Sequence, residues 1–191
     1  MIRSEHGYSY DGLVVRPLIE EDLLAYLYLR LQQDGGLKHF CHENVPTVTE
    51  FIRLHAGTKA LGCFEESTSG GVPALVGMGF ADPIQLVRTK TGVLSKAETG
   101  MAFIRGTKRT IDFGLMMLKW AFEELDLDVA YGTTPAPNKL ALRFREKLGF
   151  RTVGEAPLYT VYDGEPCSVI ISAVTREQFD EFLLEQVEVE T

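Results

Sequence analysis

Cysteine is scarce in this chain: Cys41, Cys63 and Cys167 are the only three, and no two have C-x-x-C spacing. An odd set without paired spacing excludes a disulfide framework and predicts a reducing compartment, the cytoplasm. Excess positive charge is also lacking, since 19 Lys and Arg face 27 Asp and Glu for a net charge of −8. An acidic surface repels phosphate backbones, so nucleic acid is not an expected partner. A cationic substrate or a basic protein surface suits it better. No apolar run approaches the roughly 18 residues of a membrane span, and no membrane partner is expected. Residues 1–10 are polar and lack the apolar stretch of a secretory signal, so none is expected there. Internal repeats and low-complexity tracts are missing as well.

What is present suits a folded domain. The 191 residues are 45% apolar and 24% charged, enough to bury one sizeable core. Residues 13–18 (LVVRPL) read as a short strand with Pro17 at its end. Residues 20–31 read as a helix. Leu23, Leu24, Leu27 and Leu31 recur at helical spacing, and Glu20, Glu21 and Asp22 lie in the first turn, where the dipole favours acids. Gly35-Gly36 ends it, and residues 37–46 read as irregular. Thr47 can cap a second helix to about Ala56, with Glu50 completing a capping box. Strands at 60–65 and 74–80 are joined by the turn-rich residues 66–73. Asp82-Pro83 is expected to break the second strand, and 87–96 to be a polar connector. A central strand at 98–104, a helix at 111–125, a strand at 129–133 and a helix at 138–148 closed by Gly149 follow. The last strands, 150–154 and 159–174, carry a turn at Asp163-Gly164, and a short helix at 177–186 ends the pattern. Strands alternating with helices predict an α/β sheet with some parallel pairing, covered on both faces. No linker divides the chain, so residues 1–191 read as a single domain.

The segment from Asn138 to Phe150, NKLALRFREKLGF, resembles the N-x-x-A/S-x-x-x-x-x-K-L-G-F motif of the GNAT superfamily of acetyltransferases. Glu98-Thr99-Gly100-Met101 is similar to the E-I-G-Y strand of the branch that acetylates protein N-termini, ribosomal proteins among them. Ala121-Phe122-Glu123-Glu124-Leu125 resembles that branch's A-F-x-x-L helix end, and Val15-Arg16-Pro17-Leu18 the usual L-R-P-L first strand. Taken singly, these pieces have plainer readings: Leu148-Gly149-Phe150 is a helix C-cap and Asn138 an N-cap. Their order along residues 13–174 is what carries the resemblance. It implies the acyl-CoA N-acyltransferase fold, a mixed, mostly antiparallel central sheet with helices on both faces. It also implies acetyl-CoA as co-substrate and a primary amine as acceptor, on a small molecule or a protein.

In that family a loop of form Q/R-x-x-G-x-G/A binds the pyrophosphate of coenzyme A through its amides and the following helix N-terminus. The loop is degenerate here, and two registers fit. One starts at Arg105 and puts Lys108 and Thr110 at the glycine positions; the other starts at Arg109 and puts Asp112 and Gly114 there. The first adds cations beside phosphates and is preferred, because the second sets a carboxylate against them. The resemblance then makes Arg105, Gly106, Lys108, Arg109 and Thr110 cofactor-binding. It gives the amides of Phe103 and Ile104 the thioester oxygen and pantetheine, and Asn138 the cofactor arm. An amine with pKa of about 10 arrives protonated and needs a base. Glu98 is the candidate, with a strand carboxylate paired to an arginine as the competing reading. The family tyrosine that protonates the departing thiolate falls at Arg145. Tyr159 stands in as candidate acid, against its reading as amphipathic core.

His39-Phe40-Cys41-His42 has metal-ligating residue types, but with His55 and Cys63 it matches no zinc spacing, so no metal is expected. There is no G-x-S-x-G elbow, and Gly77-Met78-Gly79 is no dinucleotide fingerprint. Two functions remain. One is the N-acetyltransferase. The other is a catalytically weak or inactive protein on the same fold that binds and modulates another protein, which a glycine-poor loop and a missing tyrosine would suit. A homodimer stays open, and the acceptor is not written in any motif.

Overall fold

Period-two alternation of apolar residues builds the first strands of the chain. The computed structural model describes residues 1–4, 7–41, 44–56, 59–66 and 71–189. Its strands are β1 (Ile2–Ser4), β2 (Gly7–Tyr10), β3 (Leu13–Pro17), β4 (Lys59–Glu65), β5 (Ala74–Arg88), β6 (Val93–Phe103), β7 (Val129–Pro135), β8 (Arg151–Tyr162) and β9 (Glu165–Thr175). The helices are α1 (Glu21–Gln33), α2 (Leu37–Phe40), α3 (Val48–Ala56), α4 (Thr110–Glu124), α5 (Lys139–Glu146) and α6 (Arg176–Val189). The strand order is β1-β2-β3-β4-β5-β6-β7-β9-β8. Strands β6 and β7 pair in parallel, whereas β1–β2, β2–β3, β3–β4, β4–β5, β7–β9 and β8–β9 are antiparallel. This is the mixed, mostly antiparallel sheet expected from the sequence.

Contacts group the chain into two units, Met1–Asp82 with Thr99–Trp120, and Pro83–Glu98 with Ala121–Thr191. In the first unit the alternation along β4 sends Ala60 and Phe64 toward Leu24, Leu27 and Leu31 of α1 and Phe51 of α3. Leu61 and Cys63 point the other way, into a cluster with Phe113, Met116 and Met117 of α4. Helices therefore cover both faces of this unit's strands, and burying these apolar groups supplies most of its folding free energy. The capping box at α3 forms as expected: Glu50 N–H donates to Thr47 Oγ1 at 3.3 Å, and Thr47 N–H to Glu50 Oε2 at 2.8 Å.

In the second unit Ser95 of β6 fastens the turn that precedes β7. Its N–H donates to Asp128 Oδ2 at 2.7 Å, and Arg176 at the start of α6 donates to Asp126 Oδ1 at 2.8 Å and to Leu127 O at 2.9 Å. Strands β8 and β9 meet at Asp163-Gly164, both with positive φ (51° and 86°), as a two-residue hairpin of right-handed twist demands.

Three local expectations differ from the structure. Asp82-Pro83 does not break β5, which continues to Arg88. The β4–β5 ladder ends at the Lys59–Ala81 pair, so the proline lies past it and withholds no N–H from that partner. Residues 87–96 are not a connector but the end of β5, a turn closed by Thr89 N–H to Gly92 O at 2.8 Å, and the start of β6. Residues 37–46 are not wholly irregular, because Leu37 is buried and anchors the single turn α2. The hairpin of β1 and β2 was not anticipated. Part of the 66–73 turn lies outside the described residues.

Candidate functional site

In the first unit, β6 ends at Phe103 and α4 begins at Thr110, so residues 104–109 form the loop between strand and helix. Asp112 and Gly114 lie inside α4, which leaves no loop for a register starting at Arg109. Gly106 supplies the turn with φ of +95°, and a side chain there would meet nothing within 4 Å. Arg105, Gly106 and Lys108 are exposed. No ion pair of Arg105 or Lys108 occurs among the described residues. Arg109 differs from them. Its Nε donates to Asp112 Oδ2 at 2.6 Å, its Nη1 donates to the backbone O and Oδ2 of Asp11 at 2.8 and 3.0 Å, and the guanidinium lies 5.6 Å from the Tyr10 ring centroid. The Asp112 hydrogen bond, with both carboxylates adding their charge, pushes its pKa up.

Backbone amides in this loop already have partners. Ile104 N–H donates to Val76 O at 2.9 Å, and Arg105 N–H to Asp34 Oδ2 at 3.1 Å. The Ile104 amide is thus used within the fold, which corrects its expected role of holding a thioester oxygen. Thr107 Oγ1 donates to Ile104 O at 2.8 Å and stiffens the turn. Phe103 turns its ring to Phe113 of α4, 6.3 Å between centroids. Thr110 opens the helix, where the amino-terminal amides and the dipole favour an anion.

In the second unit, Glu98 is the register partner of Tyr131 at the end of the parallel β6–β7 ladder. Thr133, two residues on and therefore on the same face, donates its hydroxyl to Glu98 Oε1 at 2.9 Å. Burial pushes the Tyr131 phenol up, the Glu98 charge adds to this, and a 3.5 Å contact from Gln85 Nε2 opposes it. Arg145 of α5 feels the charge of the same carboxylate. Burial lowers its guanidinium to about 10 while the charge of Glu98 acts in the other direction. The guanidinium lies 5.0 Å from the Phe150 ring centroid and covers Gly132 so closely that any Cβ there would run into it. Glycine at 132 is what lets the cation in.

The remaining sequence candidates fall elsewhere. Tyr159 is 67% exposed on β8, and the phenol that the fold sets beside Glu98 is Tyr131. Asn138 acts as the N-cap of α5, its Oδ1 accepting from Ala141 N–H at 3.2 Å. His42 of the His/Cys stretch lies outside the described residues, and among those described no group of three or more His, Cys, Asp or Glu is placed to hold a metal. Sequence reasoning missed Tyr131 and Thr133. Their period-two spacing on a strand was visible, but their alignment with Glu98 was not.

No protein-family model matches the sequence, and no curated protein does. Solved structures do. A GNAT-family acetyltransferase from Bacillus anthracis superposes with a TM-score of 0.67 at 18% identity, covering 88% of this chain and 98% of that one. A spermidine N-acetyltransferase from Vibrio cholerae, solved with CoA and spermine, gives 0.69 at 16% identity, covering 88% and 98%. A ribosomal-protein-S5-alanine acetyltransferase from Vibrio fischeri gives 0.67 at 11% identity, covering 92% and 99%. The chain has the acyl-CoA N-acyltransferase fold of the GNAT acetyltransferases.

Proposed function

We infer that the chain is an acetyl-CoA-dependent N-acetyltransferase acting on a primary amine, carried by a small molecule or a protein. The observation that carries this reading is the β6–α4 connection. A strand feeds through the six residues 104–109 into the amino end of a 15-residue helix, with Arg105 and Lys108 exposed beside it. Helix amides, dipole and two exposed cations together attract a pyrophosphate. The shared fold supports the reading, because a neighbour with that fold was solved with CoA.

The chemistry is attack of a neutral amine nitrogen on the thioester carbonyl carbon. A C–N bond forms, the C–S bond breaks, and the electron pair leaves on sulfur. Glu98 takes the amine proton, directly or through one water, while Thr133 fixes one carboxylate oxygen and leaves the other to act. Tyr131 keeps its proton at neutral pH and is the group assigned to return one to the thiolate, in place of Tyr159. Arg145 is the cation on which the charge of Glu98 acts. A net charge of −8 favours approach of cationic amines, polyamines and basic N-terminal peptides alike.

The test is thiol release from acetyl-CoA in the presence of a polyamine or of peptides with free N-termini. Release that depends on the amine supports the reading. No release with any amine, although the cofactor binds, favours the alternative of a catalytically inactive protein that acts by contact.

A further inference from the structure

Asp34 stands where a carboxylate is poorly placed. It is the C-cap residue of α1, with φ −83° and ψ −3°; its own N–H donates to Arg30 O at 3.0 Å, and Gly35 N–H donates to Gln32 O at 3.2 Å. The carboxyl end of a helix carries partial negative charge, so an acid there is repelled unless it finds a donor. The donor described for this side chain is Arg105 N–H, at 3.1 Å from Oδ2. That amide belongs to the loop whose exposed cations and following helix end attract anions. The chain's own carboxylate therefore occupies one donor of an anion-attracting loop and adds a negative charge beside it.

We propose that Asp34 is an electrostatic gate on the β6–α4 loop, a residue of this chain that occupies the Arg105 amide and weakens binding of the phosphate-bearing cofactor. The proposal rests on the reading of that loop as the pyrophosphate site. A plain fastener of the loop predicts the opposite sign. If Asp34 only held the loop in shape, removing its charge would leave cofactor affinity unchanged or lower it. If it is a gate, removing its charge raises affinity, because a carboxylate a few ångströms from a pyrophosphate repels it.

The experiment is calorimetric titration of the whole chain and of Asp34→Asn with CoA and, in parallel, with pantetheine, which has no phosphate. Asparagine keeps an oxygen for the Arg105 N–H and loses the charge. The gate predicts CoA binding about three- to tenfold tighter in the variant, a gain that shrinks as salt is raised, and pantetheine binding equal in both proteins. Asp34→Ser, which also removes the charge and keeps an acceptor, must move CoA binding in the same direction, and it serves if the asparagine variant does not fold. CoA binding by the wild type with an equal or weaker affinity in the variants overturns the gate and leaves the proposed function standing. An equal gain with pantetheine overturns it too, because loosening of the loop, not charge, would be the cause. No CoA binding by any of the proteins removes the proposed function and the gate together.

Discussion

The β6–α4 loop of the first unit and the Glu98 cluster of the second handle charge in opposite ways. The loop leaves Arg105 and Lys108 in solvent and satisfies Arg109 at its edge with Asp11 and Asp112. The cluster half-buries its charges, with Glu98 bound by Thr133 and the Arg145 guanidinium, which feels the charge of Glu98, packed onto Gly132 and Phe150. Exposed charges are screened and move affinity by small steps, while desolvated ones are coupled and move stability as well. Substitutions in the loop should therefore change cofactor affinity at nearly constant melting temperature. Those in the cluster should change turnover, stability or both.

The largest effect is expected at Glu98. As the base, Glu98→Gln should lower turnover by about 10²–10⁴ while leaving CoA affinity nearly unchanged, and raising the pH should partly restore the rate. As a mere structural partner of Arg145, the same change should leave turnover per folded molecule intact and lower the melting temperature, since removing one member of a partly desolvated charge pair strands the other. Turnover normalised to folded protein separates the two, and the second outcome would remove the catalytic assignment.

A buried histidine of the first unit sharpens the comparison. His55 of α3 is enclosed by Phe40, Phe51 and Phe80, with centroids at 5.8, 4.5 and 5.7 Å, and burial lowers its pKa to about 4. An unfolded histidine titrates near about 6.5, so the unfolded chain binds the proton first as pH falls. Stability from this group is whole above about pH 6.5 and declines toward pH 4, by about 3 kcal/mol in total. Urea unfolding of the wild type and His55→Phe across that range should show the slope shrink in the variant. An unchanged slope would place the acid sensitivity elsewhere.

Within the loop the expected effects are smaller. Lys108→Glu should weaken CoA binding by roughly 1–2 kcal/mol at low salt, with a melting temperature close to wild type. Asp112→Asn loosens the Arg109 clamp at a half-buried site near the surface, and CoA affinity should stay within about twofold. A larger loss of affinity from Asp112→Asn than from Lys108→Glu would reverse the assignment of the loop to residues 104–109.

Local patterns made much of the fold legible. The helical leucines of α1, the Thr47–Glu50 box and the Asp163-Gly164 turn are each fixed by residues within a few positions of one another. The second half of β5 and the start of β6 were not legible, because Leu86 and Val93 are exposed and the period-two contrast is lost there. In the site, residues 104–109 lie between strand and helix, whereas Asp112 and Gly114 fall inside α4. The Glu98 cluster is a matter of register. Nothing local to residue 98 says that Tyr131 lies opposite it or that Arg145 comes back from α5. Hence, with Arg145 at the motif's acid position, the sequence offers Tyr159 only as a stand-in, whereas the register sets Tyr131 opposite Glu98.

The β6–α4 loop is proposed to hold the cofactor. Calorimetric titration of the intact chain with acetyl-CoA at low salt tests this most directly. The expected result is saturable heat with a dissociation constant below the millimolar range, weakening as salt is added, because phosphates meet Arg105, Lys108 and the amino end of α4. No heat and no rise in melting temperature up to millimolar acetyl-CoA would contradict it.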